Sequence, residues 1–194
     1  MNSIENNLKE ILQKIEYAEQ KYNRTKGTVK LLAVSKFHPV DAVEKAISAG
    51  HLLFGENRVQ EAVAKFSDIN SFNKDVELHI IGQLQTNKVK KAVTVASCIE
   101  SVDRIDLLKE IQKQCEKINK KIKILFEINT AEDSKSGFKT YEDLYEAVKY
   151  CADGNTPFVE PIGFMTMAPL TDDKSLIRKS FSSLRKLSEK LQSE

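Results

Sequence analysis

Six short apolar runs, each followed by an amphipathic stretch, occupy the chain from Val29 onward. They are Val29–Val34, Leu52–Phe54, Val76–Ile81, Ser97–Val102, Ile122–Ile128 and Phe158–Met165. Runs this short and this apolar read as strands covered on both faces. Between them, apolar residues recur at helical spacing: Val40, Val43 and Ile47; Val59, Ala62, Val63 and Phe66; Val89, Ala92 and Val93. The pattern continues with Ile105, Leu108, Ile111 and Cys115, then Leu144, Val148 and Cys151, then Ile177, Phe181, Leu184 and Leu191. A leading helix carries Ile4, Leu8, Ile11, Ile15 and Ala18 on one face. Pro39 suits a first helical turn, Gly50 a helix stop, and Thr140 with Asp143 resembles a capping box. No hairpin signal separates the strands. Strict alternation therefore means parallel strands joined by right-handed crossovers.

Two architectures satisfy that rule, an open doubly wound sheet and a (β/α)₈ barrel. No G-x-G-x-x-G or Walker sequence opens a helix, so the nucleotide fingerprints of open sheets are missing. A barrel needs eight units and typically about 250 residues. This chain of 194 residues supplies six units, and is expected to be one domain. Lys plus Arg is 30 and Asp plus Glu 28, a net charge of +2, which argues against a surface built for nucleic acid. The lysine clusters around Lys88–Lys91 and Lys117–Lys123 read as solvated helix faces. Cys98, Cys115 and Cys151 fit no zinc or redox spacing and read as small buried hydrophobes in a reducing compartment. With no signal core and no apolar span, the chain reads as cytoplasmic.

In parallel β/α folds the chemistry gathers at the C-terminal ends of the strands. Those ends carry Ser35-Lys36, then Gly55-Glu56-Asn57, then Gly82-Gln83 following His79. Further on come Ser101 and Asp103, then Asn129 with Asp133 to Gly137, then Gly163 to Met167. Glycines 55, 82, 137 and 163 all lie on this rim, which suggests a close approach of backbone to ligand. A lysine just past a strand is usually a solvated flanking charge. Lys36, however, starts at the top of a core run, where a Schiff-base lysine would stand. His79 reads either as a hydrogen-bonded core histidine or as a ligand group, and no second residue makes a metal site with it. Asn57 and Asn129 either bind a ligand or tie down the turns after their strands. Glu56 and Asp103 lie on different strands, and their spacing leaves open whether they meet.

Five stretches resemble the pyridoxal phosphate homeostasis family, whose members are similar to the alanine racemase N-terminal domain. They are Leu32–Lys36, Phe54–Glu61, His79–Lys88, Ser134–Gly137 and Gly163–Met167, in the family's order and spacing. The resemblance implies a barrel of the alanine racemase N-terminal type, with six of its eight strand–helix units in this chain. It implies pyridoxal 5'-phosphate as cofactor, with Lys36 forming the internal aldimine. Asn57, His79, Asn129 and Met165 are then the further cofactor-binding candidates. Family members look like carriers or regulators of the free cofactor pool, so the expected role is homeostasis without catalysis. The alternative is a racemase-like enzyme. That needs a second acid or base opposite the lysine, whereas tyrosines 17, 22, 141, 145 and 150 all lie on predicted helices or beside them. A third reading is an interaction protein whose rim has lost its ligand.

The family's seventh and eighth strands carry a serine-rich and an arginine-bearing segment that grip the phosphate, and neither is present here. Arg178 and Arg185 fall on the last helix. The chain is therefore expected to represent part of a longer one, with weakened cofactor affinity. It should be a monomer, with self-association through open strand edges as the alternative.

Overall fold

The structure is a computed structural model that describes residues 3–130 and 136–193, with residues 70–72 described by their backbone. Six parallel strands form one sheet in the order β1-β2-β3-β4-β5-β6. They are β1 Ala33–Val34, β2 Leu53–Glu56, β3 Glu77–Ile80, β4 Cys98–Val102, β5 Ile122–Glu127 and β6 Val159–Met165. The helices are α1 Ile4–Lys21, α2 Val40–Ser48, α3 Val59–Phe72, α4 Val89–Val95, α5 Ile105–Lys117, α6 Tyr141–Ala152 and α7 Lys174–Gln192. A doubly wound sheet reverses its strand order at a switch point; this one never does. The chain steps one strand sideways at each crossover, as a barrel does. Among the described residues β1 and β6 each pair on one side only, so the sheet is an arc of a barrel.

The convex face of the arc is the core. Phe54, Leu78, Ile80, Ile99, Ile124 and Phe126 are buried against Val43, Phe66, Val89, Leu107, Leu108 and Ile111 from the helices. Phe54 meets Phe66 with ring centroids 5.7 Å apart, and Phe126 meets Phe138 at 6.0 Å. Alternation along the strands sends the residues between these to the concave face. Pro161 stands in β6 beside a register shift against β5, where a missing N–H is tolerated. Cys98 and Cys115 are buried, with burial pushing their thiols up to about 12 and about 11, while Cys151 is half-buried. No described helix is long and apolar enough to cross a membrane.

Three local expectations differ from what forms. The Val29–Val34 run pairs only at Ala33–Val34. Upstream, the Glu19 carboxylate accepts from Gly27 N at 2.9 Å, Val29 N at 2.7 Å and the Thr28 hydroxyl at 3.3 Å. These bonds hold the loop against α1 and keep the Glu19 carboxyl below its usual range. For the same reason Glu19 is buried on α1, whereas Ala18 is exposed. Pro39 caps α2 from just outside its first turn.

The start of α6 matches the capping expectation. Thr140 Oγ1 accepts from Asp143 N at 3.2 Å and donates to Asp143 Oδ2 at 2.6 Å. Thr140→Ala should cost about 1 kcal/mol in urea unfolding, with Thr140→Gly costing less. An unchanged midpoint for the alanine variant would show that the cap is not stabilising.

Candidate functional site

The C-terminal rim is organised around the turn Ser35-Lys36-Phe37. Ser35 is pinned three ways. Its N–H donates to Gly55 O at 3.0 Å, its hydroxyl to Glu56 Oε1 at 2.8 Å, and its carbonyl accepts from Lys65 Nζ at 2.7 Å. Lys65 also donates to Glu56 Oε1 at 2.8 Å and lies 3.4 Å from Glu61 Oε2. Glu61 in turn accepts from Phe37 N at 3.2 Å, and this bond, with Lys65 adding to it, holds its carboxyl below the usual range. Phe37 sits at φ +64°, a left-handed conformation that the Glu61 bond helps to hold. Glu56 is fully buried and Lys65 nearly so. The network stands on the helix side of the sheet, which leaves the half-buried Lys36 toward the concave side. Among the described residues, no hydrogen bond or ion pair engages Lys36 Nζ.

Register shows which candidates share that space. Val34 is level with Gly55, Gly55 with His79, and His79 with Cys98. Counting two residues on places Lys36 beside Asn57, with His79 one layer deeper. Asn57 Oδ1 is buried and receives no hydrogen bond. His79 Nδ1 is 2.6 Å from Glu100 Oε1, and its buried Nε2 lies 4.0 Å from Glu77 Oε2. His79 is thus a hydrogen-bonded histidine on the concave wall.

Asn129 and Met165 lie across the arc, at the ends of β5 and β6. Met165 is level with Glu127, and its carbonyl accepts from Ile128 N at 2.8 Å. Asn129 N donates to Phe138 O at 3.1 Å, beside the Ile128–Phe138 bridge, so its backbone ties down the chain after β5. Ser134 and Lys135 lie outside the described residues. Glu56 and Asp103 do not pair: Glu56 faces Lys65, and Asp103 pairs with Arg104.

At three of the four rim glycines the chain's own atoms fill the space a Cβ would take. A Cβ on Gly82 would lie 2.4 Å from Asn57 O, and one on Gly137 would lie 2.5 Å from Asn129 N. Two of the four therefore let the chain's own strand ends approach. Gly55 instead makes room for the Leu32 side chain.

Sequence reasoning missed Glu100, Lys65 and Glu127. Glu100 was within reach, because it stands two residues after Cys98 on the strand next to His79. Lys65 and Glu127 carry no comparable signal, one being a charge on a helix and the other a charge in a strand.

The sequence matches the model of the alanine racemase N-terminal domain over residues 4–194. The pyridoxal phosphate homeostasis protein of Aquifex aeolicus is 35% identical over 194 residues, covering 100% of this chain and 83% of the relative. The chain belongs to the pyridoxal phosphate homeostasis protein family. Another member, from Pasteurella multocida, is 36% identical over 97% of this chain and 80% of its own length. Among solved structures, PipY of Synechococcus elongatus with PLP bound has a TM-score of 0.78 at 30% identity, covering 92% of this chain and 81% of PipY. Alanine racemase of Clostridium difficile has a TM-score of 0.72 at 13% identity, covering 93% of this chain and 47% of the racemase, a likeness of fold alone. The six-stranded arc of this homeostasis-family member is therefore of the alanine racemase N-terminal, TIM-like type.

Proposed function

We propose that this chain is a cytoplasmic carrier of pyridoxal 5'-phosphate, held through Lys36. The observation that carries the reading is the Lys36 amine, uncommitted among the described residues, on a turn immobilised by Ser35, Glu56, Lys65 and Glu61. When bound, the cofactor supplies an aldehyde for the amine and an aromatic ring that can act as an electron sink. Asn57 fits such a ligand through its buried, unsatisfied Oδ1, and His79 forms the wall below, oriented by Glu100. PipY, described with PLP bound, supports this assignment by family likeness. Asn129 and Met165 would border the opposite side of the ligand.

Two features support a carrier over a racemase. Tyr17 and Tyr22 are exposed on or beside α1. Tyr141 and Tyr145 stack on each other, and Tyr150 lies under Lys109. None stands at a strand end facing Lys36. In this reading two further β/α units complete the phosphate side of the site, and the one-sided edges β1 and β6 are where they pair.

The test is covalent mapping. Protein incubated with pyridoxal 5'-phosphate, treated with borohydride and digested should carry the cofactor mass on the Lys36 peptide. Lys36→Ala should carry none. Label that persists in Lys36→Ala, or that sits mainly on another lysine, refutes the assignment.

A further inference from the structure

Ser35 O accepts from His38 N at 3.1 Å, which closes a four-residue turn with Lys36 and Phe37 at its centre. Phe37 has φ +64°, while Lys36 is not one of the described residues of positive φ. That is the pattern of a type II turn, where glycine or asparagine normally takes the third position. Phe37 gains little from packing to offset the strain, because it is 77% exposed. Turning the Lys36–Phe37 peptide over would relieve it, giving a type I turn with Phe37 at negative φ. The same flip would carry Phe37 N–H away from Glu61 Oε2, which accepts from it at 3.2 Å. We infer that Glu61 is a positioning residue for Lys36, holding the Lys36–Phe37 peptide in its strained orientation.

Both flanks of that peptide are fixed. Ser35 is held by Gly55, Glu56 and Lys65, and His38 precedes Pro39, which confines it to extended backbone. Release of the strain is therefore confined to the central peptide. Glu61 reaches it from the first turn of α3. The Phe37 bond is the main reason that the Glu61 carboxyl lies below its usual range, so a carboxylate, the stronger acceptor, meets the N–H. A flip would change ψ of Lys36, and the rotamers open to a side chain depend on its backbone. The orientation of the peptide thus sets the directions open to the Lys36 amine. The inference rests on the reading of Lys36 as the cofactor lysine, and adds to it a residue that acts through the backbone.

Timed borohydride trapping with pyridoxal 5'-phosphate, the label counted on the Lys36 peptide, tests the role of Glu61. Glu61→Ala should slow labelling about fivefold or more, because a turn released from its strain populates the competent form less. Adding Phe37→Gly to Glu61→Ala should bring labelling back to within about twofold of wild type, because glycine takes the third position without strain. A role confined to Lys65 or to the fold of α3 would not respond to Phe37→Gly. In the wild-type protein the amide and α hydrogens of Phe37 should show a strong mutual NOE, since a positive φ brings them close, and Glu61→Ala should weaken it. Labelling of Glu61→Ala within about twofold of wild type, or a loss that Phe37→Gly does not repair, overturns the inference while leaving the cofactor lysine in place. A weak Phe37 NOE in the wild-type protein overturns it without any variant. Wild-type protein that carries no label on Lys36 removes the cofactor reading, and this inference with it.

Discussion

Lys65→Met should lose about 3–5 kcal/mol of folding stability, read as a marked fall in the urea midpoint. Lys65 carries the only cation within salt-bridge distance of Glu56 among the described residues, and Glu56 is fully buried. Removing the ammonium leaves Glu56 buried with only the Ser35 hydroxyl as a donor. It also strips the Ser35 carbonyl of its Lys65 bond, so the turn that presents Lys36 loosens. Methionine retains most of the lysine stem, which confines the change to the charge and its hydrogen bonds. The double variant Glu56→Gln with Lys65→Met should recover much of the loss, because no uncompensated charge then remains. Borohydride trapping at Lys36 should be slower in Lys65→Met even where the protein remains folded. A loss below about 1 kcal/mol would mean that the pair behaves as a surface salt bridge and that the turn is held by other means.

Gly137→Ala should cost about 2–5 kcal/mol, from two independent sources. Its φ of +113° is a backbone conformation that L side chains rarely adopt. The added Cβ would also meet Asn129 N at 2.5 Å, Ile128 C at 2.8 Å and Glu127 O at 3.1 Å. All three are backbone atoms at the end of β5, so no side chain can swing aside. The strain falls on the bridge that joins Ile128 to Phe138, and Phe138 is part of the core. By contrast, Gly154→Ala meets no atom within 4 Å and carries only the cost of a positive φ of +81°. Comparing the two urea midpoints isolates the steric part. Equal losses would show that the chain after β5 can shift to admit the methyl group.

The legible part of this protein lies in its periodicities. Apolar runs of strand length separated by helical stripes specify a parallel β/α order, because each strand must bury both faces and each helix one. Lys36 and Asn57 could be placed at strand ends, and His79 within the third strand, from that order alone. What the pattern could not carry was polar pairing between segments distant in sequence. Glu19 reads as an exposed helix charge until the Gly27–Val29 loop folds onto it and takes the amides that would otherwise extend β1. Glu100 reads as a polar interruption in β4 until register sets it beside His79.

The rim glycines show the same boundary. Their positions at the strand ends were evident, but the sequence does not show that at Gly82 and Gly137 another strand end of the same chain comes close. By itself the sequence determined the strand–helix order, the parallel sheet and the lysine at the first strand end. Those follow from local spacing and burial. Only the tertiary structure decided that Glu56 pairs with a lysine while Glu127, among the described residues, is met by the Ser136 hydroxyl. Compensation depends on distances of a few ångströms between residues far apart in the chain, and hydrophobic periodicity does not encode those distances.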